Sequence, residues 1–305
     1  MSRKPLGSAE PSTRWCRILI SGALVGFGAL AISPSTKADE TLVPESIGYL
    51  ENESACGFFK ERLLGMIWSL LAGPTNPARV QDLPGIEAVS FDSIDGRRLG
   101  GYKLNSDGQA HGYILIGLGN AMLADQVIGE FRFLQDAGFD VYAYDHRGYG
   151  LSEGRSRFAA LRADFVALID HLNHEDYKQG FVYGMSFGGV MAMNALGAGA
   201  EVDAALIDSP PSRVSAYGCP RSFDPVENLP ERAGHLGFIF GQDDRMVPPA
   251  QWRELADAAR QRGAAVIERA DFGHPFQDRR PGAREARRDI IRGFFRKQLS
   301  QDTSP

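Results

Sequence analysis

The stretch FVYGMSFGGVMAMNAL, residues 181–196, joins an apolar strand-like run to a helix-like run, with a serine between glycines at the junction. A strand that passes directly into a helix must turn tightly, and glycine fits such a turn because it has no side chain to clash. Ser186 lies at the tip of this predicted turn, where its hydroxyl is presented beyond the end of the strand. The spacing Gly-x-Ser-x-Gly over 184–188 is that of a nucleophile elbow, so Ser186 is a candidate nucleophile.

Short apolar runs alternate with helix-like stretches on both sides of this junction. The alternation predicts an α/β fold with a mostly parallel eight-stranded sheet that carries helices on both faces. A turn at Asp95-Gly96 between two alternating segments predicts a hairpin at the start of the sheet. The predicted strands after the hairpin cover 112–117, 140–145, 181–185, 204–208, 236–240 and 264–268, and the predicted helices cover 123–137, 157–173, 187–198, 250–262 and 283–298.

Composition limits the classes of protein that fit this chain. Its 305 residues include 43% hydrophobic side chains, enough for one large core, and its formal net charge is −5. A nucleic-acid-binding surface needs an excess of basic residues, so we expect no nucleic-acid partner.

The first residues have the order of an export signal. Basic residues precede the uncharged run 18–33, and small residues follow it at 36 and 38. The run is shorter than the roughly 20 residues that span a bilayer comfortably, so residues 1–38 are predicted to be a signal peptide or an amino-terminal membrane anchor. A signal peptide and a membrane anchor both predict an exported protein. It would be periplasmic or otherwise extracytoplasmic, or anchored to the membrane by its amino terminus. We expect an amino-terminal helical segment at 39–79, a main domain at 80–298 and a tail at 299–305.

The segment 54–74 has large apolar residues at helical spacing. It is expected to be a helix packed on the main domain. The alternative is a helix at a membrane surface, which Trp68 would suit and for which Lys60 and Arg62 supply only two positive charges.

Two cysteines, Cys56 and Cys219, remain after residue 38. An oxidising compartment permits a disulfide between them, but the sequence equally allows two unpaired buried thiols. Neither cysteine has zinc-ligand spacing, so no metal site is expected.

A serine hydroxyl needs a base, and the base needs a third group to orient it. His274, in DFGHPF after a predicted strand, is the candidate base. The strand LGFIF is followed by GQDDRMVP, in which Asp244 is the preferred acid and Asp243 the near miss. Asp208, at the end of the preceding strand, is a second candidate acid.

The order Ser186, Asp244, His274 resembles that of the α/β-hydrolase superfamily over residues 80–298. Within it the chain resembles the Bem46-type, serine-aminopeptidase-like branch, through SIDGRRLGGY, LGNAM, YDHRGYGLSEG, GMSFGG, GQDDRMVP and FGH. The resemblance implies an oxyanion hole formed by the backbone N–H groups of Phe187 and Asn120. Leu118 stands where the family usually has histidine. We expect this departure to change the hydrogen bonding of the loop rather than to abolish catalysis.

Two further segments have expected roles. Asp145 and Arg147, in the loop after a predicted strand, are expected to fix that loop. The segment 209–234 is too short for a full cap domain, so we expect an open pocket.

The resulting hypothesis is a serine hydrolase that cleaves carboxylic ester or thioester bonds and needs no cofactor. Its expected substrate is a small-molecule or lipid-like acyl compound, with membrane association through the amino terminus as a further expectation. The alternatives are aminopeptidase-like or lysophospholipase activity on the same triad, and a binding protein with this fold that has lost catalysis.

Overall fold

Eight strands form one sheet in the computed structural model, which describes residues 47–301. The predicted signal or anchor, residues 1–38, lies outside the described residues. The strands are β1 (Ile86–Asp92), β2 (Arg98–Leu104), β3 (Gly112–Gly117), β4 (Phe139–Tyr144), β5 (Gly180–Met185), β6 (Ala204–Asp208), β7 (Leu236–Gly241) and β8 (Ala265–Arg269).

The order of the strands across the sheet is β1-β2-β4-β3-β5-β6-β7-β8. β2 pairs antiparallel with β1 and with β4, and every other neighbouring pair is parallel. The predicted mostly parallel α/β sheet and its hairpin are therefore confirmed. β3 lies between β4 and β5, so the direction in which successive strands are added to the sheet reverses at β3. Ligands of open α/β sheets bind where the strand order reverses, beyond the carboxyl ends of the strands.

Seven α-helices accompany the strands in the described part of the chain. They are α1 (Phe58–Ala72), α2 (Ala124–Val127), α3 (Arg132–Gln135), α4 (Phe158–Asn173), α5 (Phe187–Gly197), α6 (Pro249–Gln261) and α7 (Ala283–Gln301). The predicted single helix 123–137 is wrong in detail, because a 3-10 turn, Ile128–Phe131, separates α2 from α3. Gly129 lies in this turn, and glycine is a poor helix former.

The core has two layers, one on each face of the sheet. Successive residues of β3 alternate between them, because side chains along a strand point to opposite faces. Tyr113 and Leu115 pack with residues of α4, α5 and α6, whereas Ile114 and Ile116 pack with residues of α2, α3 and α7. This arrangement confirms the expected helices on both faces.

A buried ion network fastens the loop after β4. Arg147 is fully buried and donates hydrogen bonds to both carboxylate oxygens of Asp95, at 2.6 and 2.9 Å, and to Asp164 in α4. Glu51, in a 3-10 turn before α1, also pairs with Arg147 at 3.3 Å. Buried charges of this kind are tolerated when they are paired, so Arg147 joins the β1–β2 turn, α4 and the start of the described chain.

Helix α1 is attached to the domain at several points. A disulfide joins Cys56, just before the helix, to Cys219 in the segment after β6. The Ser69 hydroxyl donates to the Gly148 carbonyl at 3.1 Å, in the loop after β4. Within residues 47–301, no helix combines the length and apolarity that crossing a membrane requires.

The segment 209–234 contains two single-turn 3-10 helices, Ser215–Tyr217 and Arg221–Phe223, and no α-helix. The expectation that no large cap domain covers the sheet is confirmed.

Candidate active site

Ser186 occupies a sharp turn between β5 and α5. Its backbone has φ 51° and ψ −114°, a region that residues with side chains rarely adopt. Such an outlier persists only where the surrounding structure enforces it, and outliers of this kind cluster at functional sites. Here the turn carries the Ser186 hydroxyl past the carboxyl end of β5, as the Gly-x-Ser-x-Gly spacing predicts.

The glycines around Ser186 allow three backbone segments to approach closely. A Cβ on Gly184 would lie 2.8 Å from the Gly189 Cα. A Cβ on Gly188 would lie 2.6 Å from the Leu118 carbonyl oxygen and would overlap the Gly117 carbonyl. The loop after β3 and the start of α5 are thus in direct contact, which only glycine permits.

His274 and Asp244 come together from the ends of β8 and β7. Their side chains are 2.8 Å apart, between His274 Nδ1 and Asp244 Oδ2. The other carboxylate oxygen of Asp244 accepts the backbone N–H groups of Met246 and Val247 at 2.8 and 2.9 Å. With its carboxylate fixed on three donors, Asp244 holds the imidazole in one orientation.

Ser186 lies at the same edge of the sheet as this pair, because β5, β7 and β8 are parallel and end there. Among the hydrogen bonds of the described residues, none joins the Ser186 hydroxyl to His274. Contacts between a nucleophile and its base are often long without substrate and shorten when substrate binds.

Asp208, the second candidate acid, has a different partner. Both of its carboxylate oxygens accept from Arg287 of α7, at 2.6 and 2.8 Å, and the Tyr183 hydroxyl donates to one of them. Asp243 makes no hydrogen bond to His274 within the described residues. Of the three candidate acids, only Asp244 is bonded to the imidazole.

Arg287 also supports the loop that carries His274. Its guanidinium donates to the Gly273 carbonyl at 2.7 Å and to both oxygens of Asp278, and Asp278 in turn accepts the Gly273 N–H. Sequence reasoning missed this residue. Arg287 is only 5% exposed, although it belongs to the arginine-rich helix α7. The sequence gives no signal that distinguishes this arginine from its exposed neighbours.

The predicted oxyanion loop follows β3 and lies beside the elbow. Asn120 is half-buried, and its side-chain oxygen accepts a weak hydrogen bond from the Tyr149 hydroxyl at 3.4 Å. No hydrogen bond among the described residues uses the backbone N–H of Asn120 or of Phe187. Ala121, the next residue, has φ 55°, so this loop also contains a residue in the left-handed region.

His146 contacts the loop at the position where the family's usual histidine is replaced by leucine. Its ring Nε2 lies 2.8 Å from the Leu118 carbonyl oxygen. His146 is fully enclosed, and burial lowers its pKa to about 4, so the ring is neutral at physiological pH. A neutral ring that donates from Nε2 fixes the Leu118 carbonyl, so His146 anchors the loop in a way that the sequence did not reveal.

Comparison with known proteins agrees with the fold of the chain. Residues 109–227 match the family model described as serine aminopeptidase, S33. The chain aligns with an esterase from Pyrococcus furiosus at a TM-score of 0.57 and 18% identity, over 73% of this chain and 94% of the other. The chain has the α/β-hydrolase fold, and its residues 109–227 are similar to the S33 serine aminopeptidase family.

Other similar proteins align at a lower TM-score or over only part of the chain. A Xanthomonas campestris structure, described as a serine hydrolase without a lid, aligns at a TM-score of 0.53 and 16% identity, over 73% of this chain and 98% of the other. The α/β hydrolase domain-containing protein aho-3 of Caenorhabditis elegans is 27% identical over 154 residues, 45% of each chain. The uncharacterized protein YfhR of Escherichia coli is 28% identical over 132 residues, 40% of this chain and 46% of that protein. The matches therefore span about half the length of these two curated relatives.

Proposed function

We propose that this α/β hydrolase cleaves carboxylic ester or thioester bonds through an acyl-enzyme formed on Ser186. The observation that carries the proposal is the strained backbone of Ser186 at the sheet edge where His274 is bonded to Asp244. A strained serine and an oriented imidazole, in a described part of the chain that has no large cap domain, together favour attack on an acyl group.

The imidazole has the tautomer that the reaction needs. A carboxylate only accepts hydrogen bonds, so Asp244 requires the proton of His274 on Nδ1 and leaves a lone pair on Nε2. That lone pair takes the hydroxyl proton as Ser186 Oγ attacks the acyl carbon, and the resulting imidazolium gives the proton to the departing alcohol or thiol. Water then attacks the acyl-enzyme by the same route and releases the acid.

The oxyanion of the tetrahedral intermediate would be held by the backbone N–H groups of Phe187 and Asn120. Phe187 is the first residue of α5, where helix N–H groups have no partner within the helix and the helix dipole favours negative charge. Loss of one such donor lowers kcat by about a hundredfold to a thousandfold in well-studied hydrolases.

A substrate panel tests this proposal. Wild type and Ser186→Ala are compared on p-nitrophenyl esters, an acyl thioester and a peptide anilide, with Ser106→Ala as the matched serine control. We expect the wild type and the control to hydrolyse esters or thioesters, and Ser186→Ala to lose about ten-thousandfold or more of the rate. Intact-mass measurement of the wild type should detect one added acyl group. Equal rates for wild type and Ser186→Ala would refute the proposal.

The description of the matching family as a serine aminopeptidase favours peptide-bond cleavage as a second candidate. The same triad can attack an amide, so the anilide in the panel separates the two. Faster cleavage of the anilide than of the esters would make peptides the substrate class.

A further inference from the structure

Helix α1 leaves most of its large hydrophobic side chains exposed, although Phe58 stacks on Arg157 and Trp68 packs on the domain. Phe59 is 84% exposed and Leu70 is 73% exposed. Globular proteins normally bury the apolar side of a surface helix. The exposed apolar residues of this helix, here called the α1 face, are Phe58, Phe59, Leu63, Met66, Ile67, Leu70 and Leu71.

The side of α1 that contacts the domain is largely small or polar. The Glu61 carboxylate is buried and accepts the Cys56 backbone N–H, and the Ser69 hydroxyl donates to the Gly148 carbonyl. Gly65 lies against Ser156, where an added Cβ would be 3.1 Å from the Ser156 Cβ. Among the large apolar residues of the helix, Leu64 and Trp68 are the most covered. The orientation is therefore fixed by specific polar contacts and leaves the apolar side in solvent.

The remaining exposed large hydrophobic residues of the described chain lie at the same end of the sheet. They occur in segments that follow the carboxyl ends of β1, β4, β6, β7 and β8, or against the β1–β2 turn. These residues are Ile94, Leu151, Tyr217, Met246, Phe276 and, beside Gly96 of the turn, Ile47. The outward surfaces of α4, α6 and α7 contribute none of them, so the apolar exposure is confined to the end that carries Ser186 and His274.

Charge on the exposed part of α1 has one sign. Lys60 and Arg62 are its only exposed charged residues, although the chain as a whole has a net charge of −5. An apolar helical side with flanking cations is the pattern of helices that lie in the interface of anionic bilayers. With 15 residues, α1 is about 22 Å long at 1.5 Å per residue, too short to span a bilayer and suited to lying on one.

We propose that the α1 face docks on the surface of a lipid bilayer that contains anionic lipids. The predicted apolar run 18–33 supports this occupant, because the 13 residues 34–46 that separate it from the described part of the chain extend to about 45 Å at most and keep α1 within reach of a bilayer that holds the run. Docking itself is independent of the proposed chemistry. The consequence that Ser186 meets lipid-like acyl esters at the interface rests on the proposed function.

Quenching of an added indole tests the docking in the full chain. Two variants, Phe59→Trp and the control Gln261→Trp, are mixed with vesicles of equal parts phosphatidylcholine and phosphatidylglycerol. Gln261 ends α6 and lies near the amino ends of the strands, away from the α1 face. The vesicles carry plain or dibrominated acyl chains, and the signal of the parent protein is subtracted. We expect the brominated chains to quench the Phe59→Trp indole at least twofold and to leave the control unchanged. No quenching, whether or not the protein binds vesicles, would overturn the proposal.

A blue shift of the Phe59→Trp emission without quenching would also overturn it, because the α1 face would then be covered by residues 1–46 or by a second copy.

A further pair of variants adds carboxylates to the Phe59→Trp protein. Leu63→Glu with Leu70→Glu should abolish the quenching, and Gln109→Glu with Gln261→Glu, at exposed sites near the amino ends of the strands, should not. Folding is checked by thermal unfolding rather than by hydrolysis, so failure of the proposed function would not be mistaken for failure of docking.

Discussion

Two neighbouring residues, Asp145 and His146, have opposite pKa shifts in one buried loop. Burial raises the pKa of Asp145 to about 6, although the N–H groups of Ala124 and Leu151 partly offset it, and burial lowers the pKa of His146 to about 4. Between pH 6.5 and 4 the unfolded chain binds a proton at His146 that the folded chain does not, so acidification lowers stability. Between pH 6 and 3.8 the folded chain binds a proton at Asp145 that the unfolded chain does not bind. At this residue acidification therefore raises the stability. Each effect amounts to about 3 kcal/mol, and the two nearly cancel.

His146→Gln should expose this cancellation. Glutamine keeps an N–H donor for the Leu118 carbonyl but does not titrate. We expect the free energy of unfolding of the variant, relative to wild type, to rise by about 3 kcal/mol as the pH falls from 6.5 to 4. Urea denaturation of both proteins across this range measures the difference, in which all other titrating groups cancel. Parallel pH profiles would contradict the assignment of His146.

The contact of Gly188 with the loop after β3 gives a second prediction at this scale. Gly188→Ala would push a methyl group into the Gly117 and Leu118 carbonyl oxygens, and we expect it to destabilise the protein by about 1–3 kcal/mol or more and to disturb the elbow. Gly234→Ala is the matched control, since nothing lies within 4 Å of its Cβ position. Thermal unfolding compares the two, and equal melting temperatures would contradict the close packing.

Local sequence predicts some of these residue-scale features and not others. The glycines of GMSFGG predict the strained turn because the constraint lies within six residues. The bond from His146 to Leu118 joins positions 28 residues apart and depends on β3 and β4 being neighbours, so no local pattern indicates it.

At the scale of elements, α7 holds the loop that carries His274. Arg287 connects α7 to Asp208 at the end of β6 and to Gly273 and Asp278 on either side of His274. The planar guanidinium serves all three partners at once, which a lysine ammonium cannot do.

Arg287→Lys should therefore impair positioning of the base. We expect kcat for ester hydrolysis to fall about tenfold to a hundredfold with KM little changed, because a shift of about 1 Å in a reacting group costs this much. Labelling of Ser186 by a fluorophosphonate should slow in parallel. Arg284→Lys, on the exposed side of the same helix, is the control and should keep the wild-type kcat. A change in melting temperature alone, with kcat preserved, would reduce Arg287 to a structural role.

Element boundaries were predictable wherever apolar runs are continuous. β3 and β6 begin and end where the sequence predicts, since strands buried on both faces are uniformly apolar. The sequence predicts one helix at 123–137, whereas the structure has α2, a 3-10 turn at Ile128–Phe131 and α3. The pattern of apolar residues continues through the turn and therefore does not indicate the break.

At the scale of the whole molecule, the disulfide joins segments that are far apart in sequence. Cys56 and Cys219 are separated by 163 residues and link the start of α1 to the segment 209–234 after β6. The sequence left paired and unpaired thiols open, because the pairing depends on where α1 packs. A structural disulfide suits the proposed export, since such bonds persist in oxidising compartments.

Removal of the bond should destabilise the protein as a whole. Cys56→Ser with Cys219→Ser should lower the free energy of unfolding by about 2–5 kcal/mol, chiefly because the unfolded chain gains freedom. Guanidinium denaturation with and without reductant measures this loss. Reductant should weaken the wild type and leave the double variant unchanged, and an equal response of both would show that the bond contributes nothing.

Fluorophosphonate labelling tests the central claim, an activated Ser186, most directly. The probe is added to wild type, Ser186→Ala and His274→Ala, each checked for folding by thermal unfolding. The account predicts one probe per wild-type chain on the peptide that contains Ser186, none on Ser186→Ala, and much slower labelling of His274→Ala. A folded wild type that resists labelling, or equal labelling of Ser186→Ala, would contradict the nucleophile and favour a binding protein with this fold.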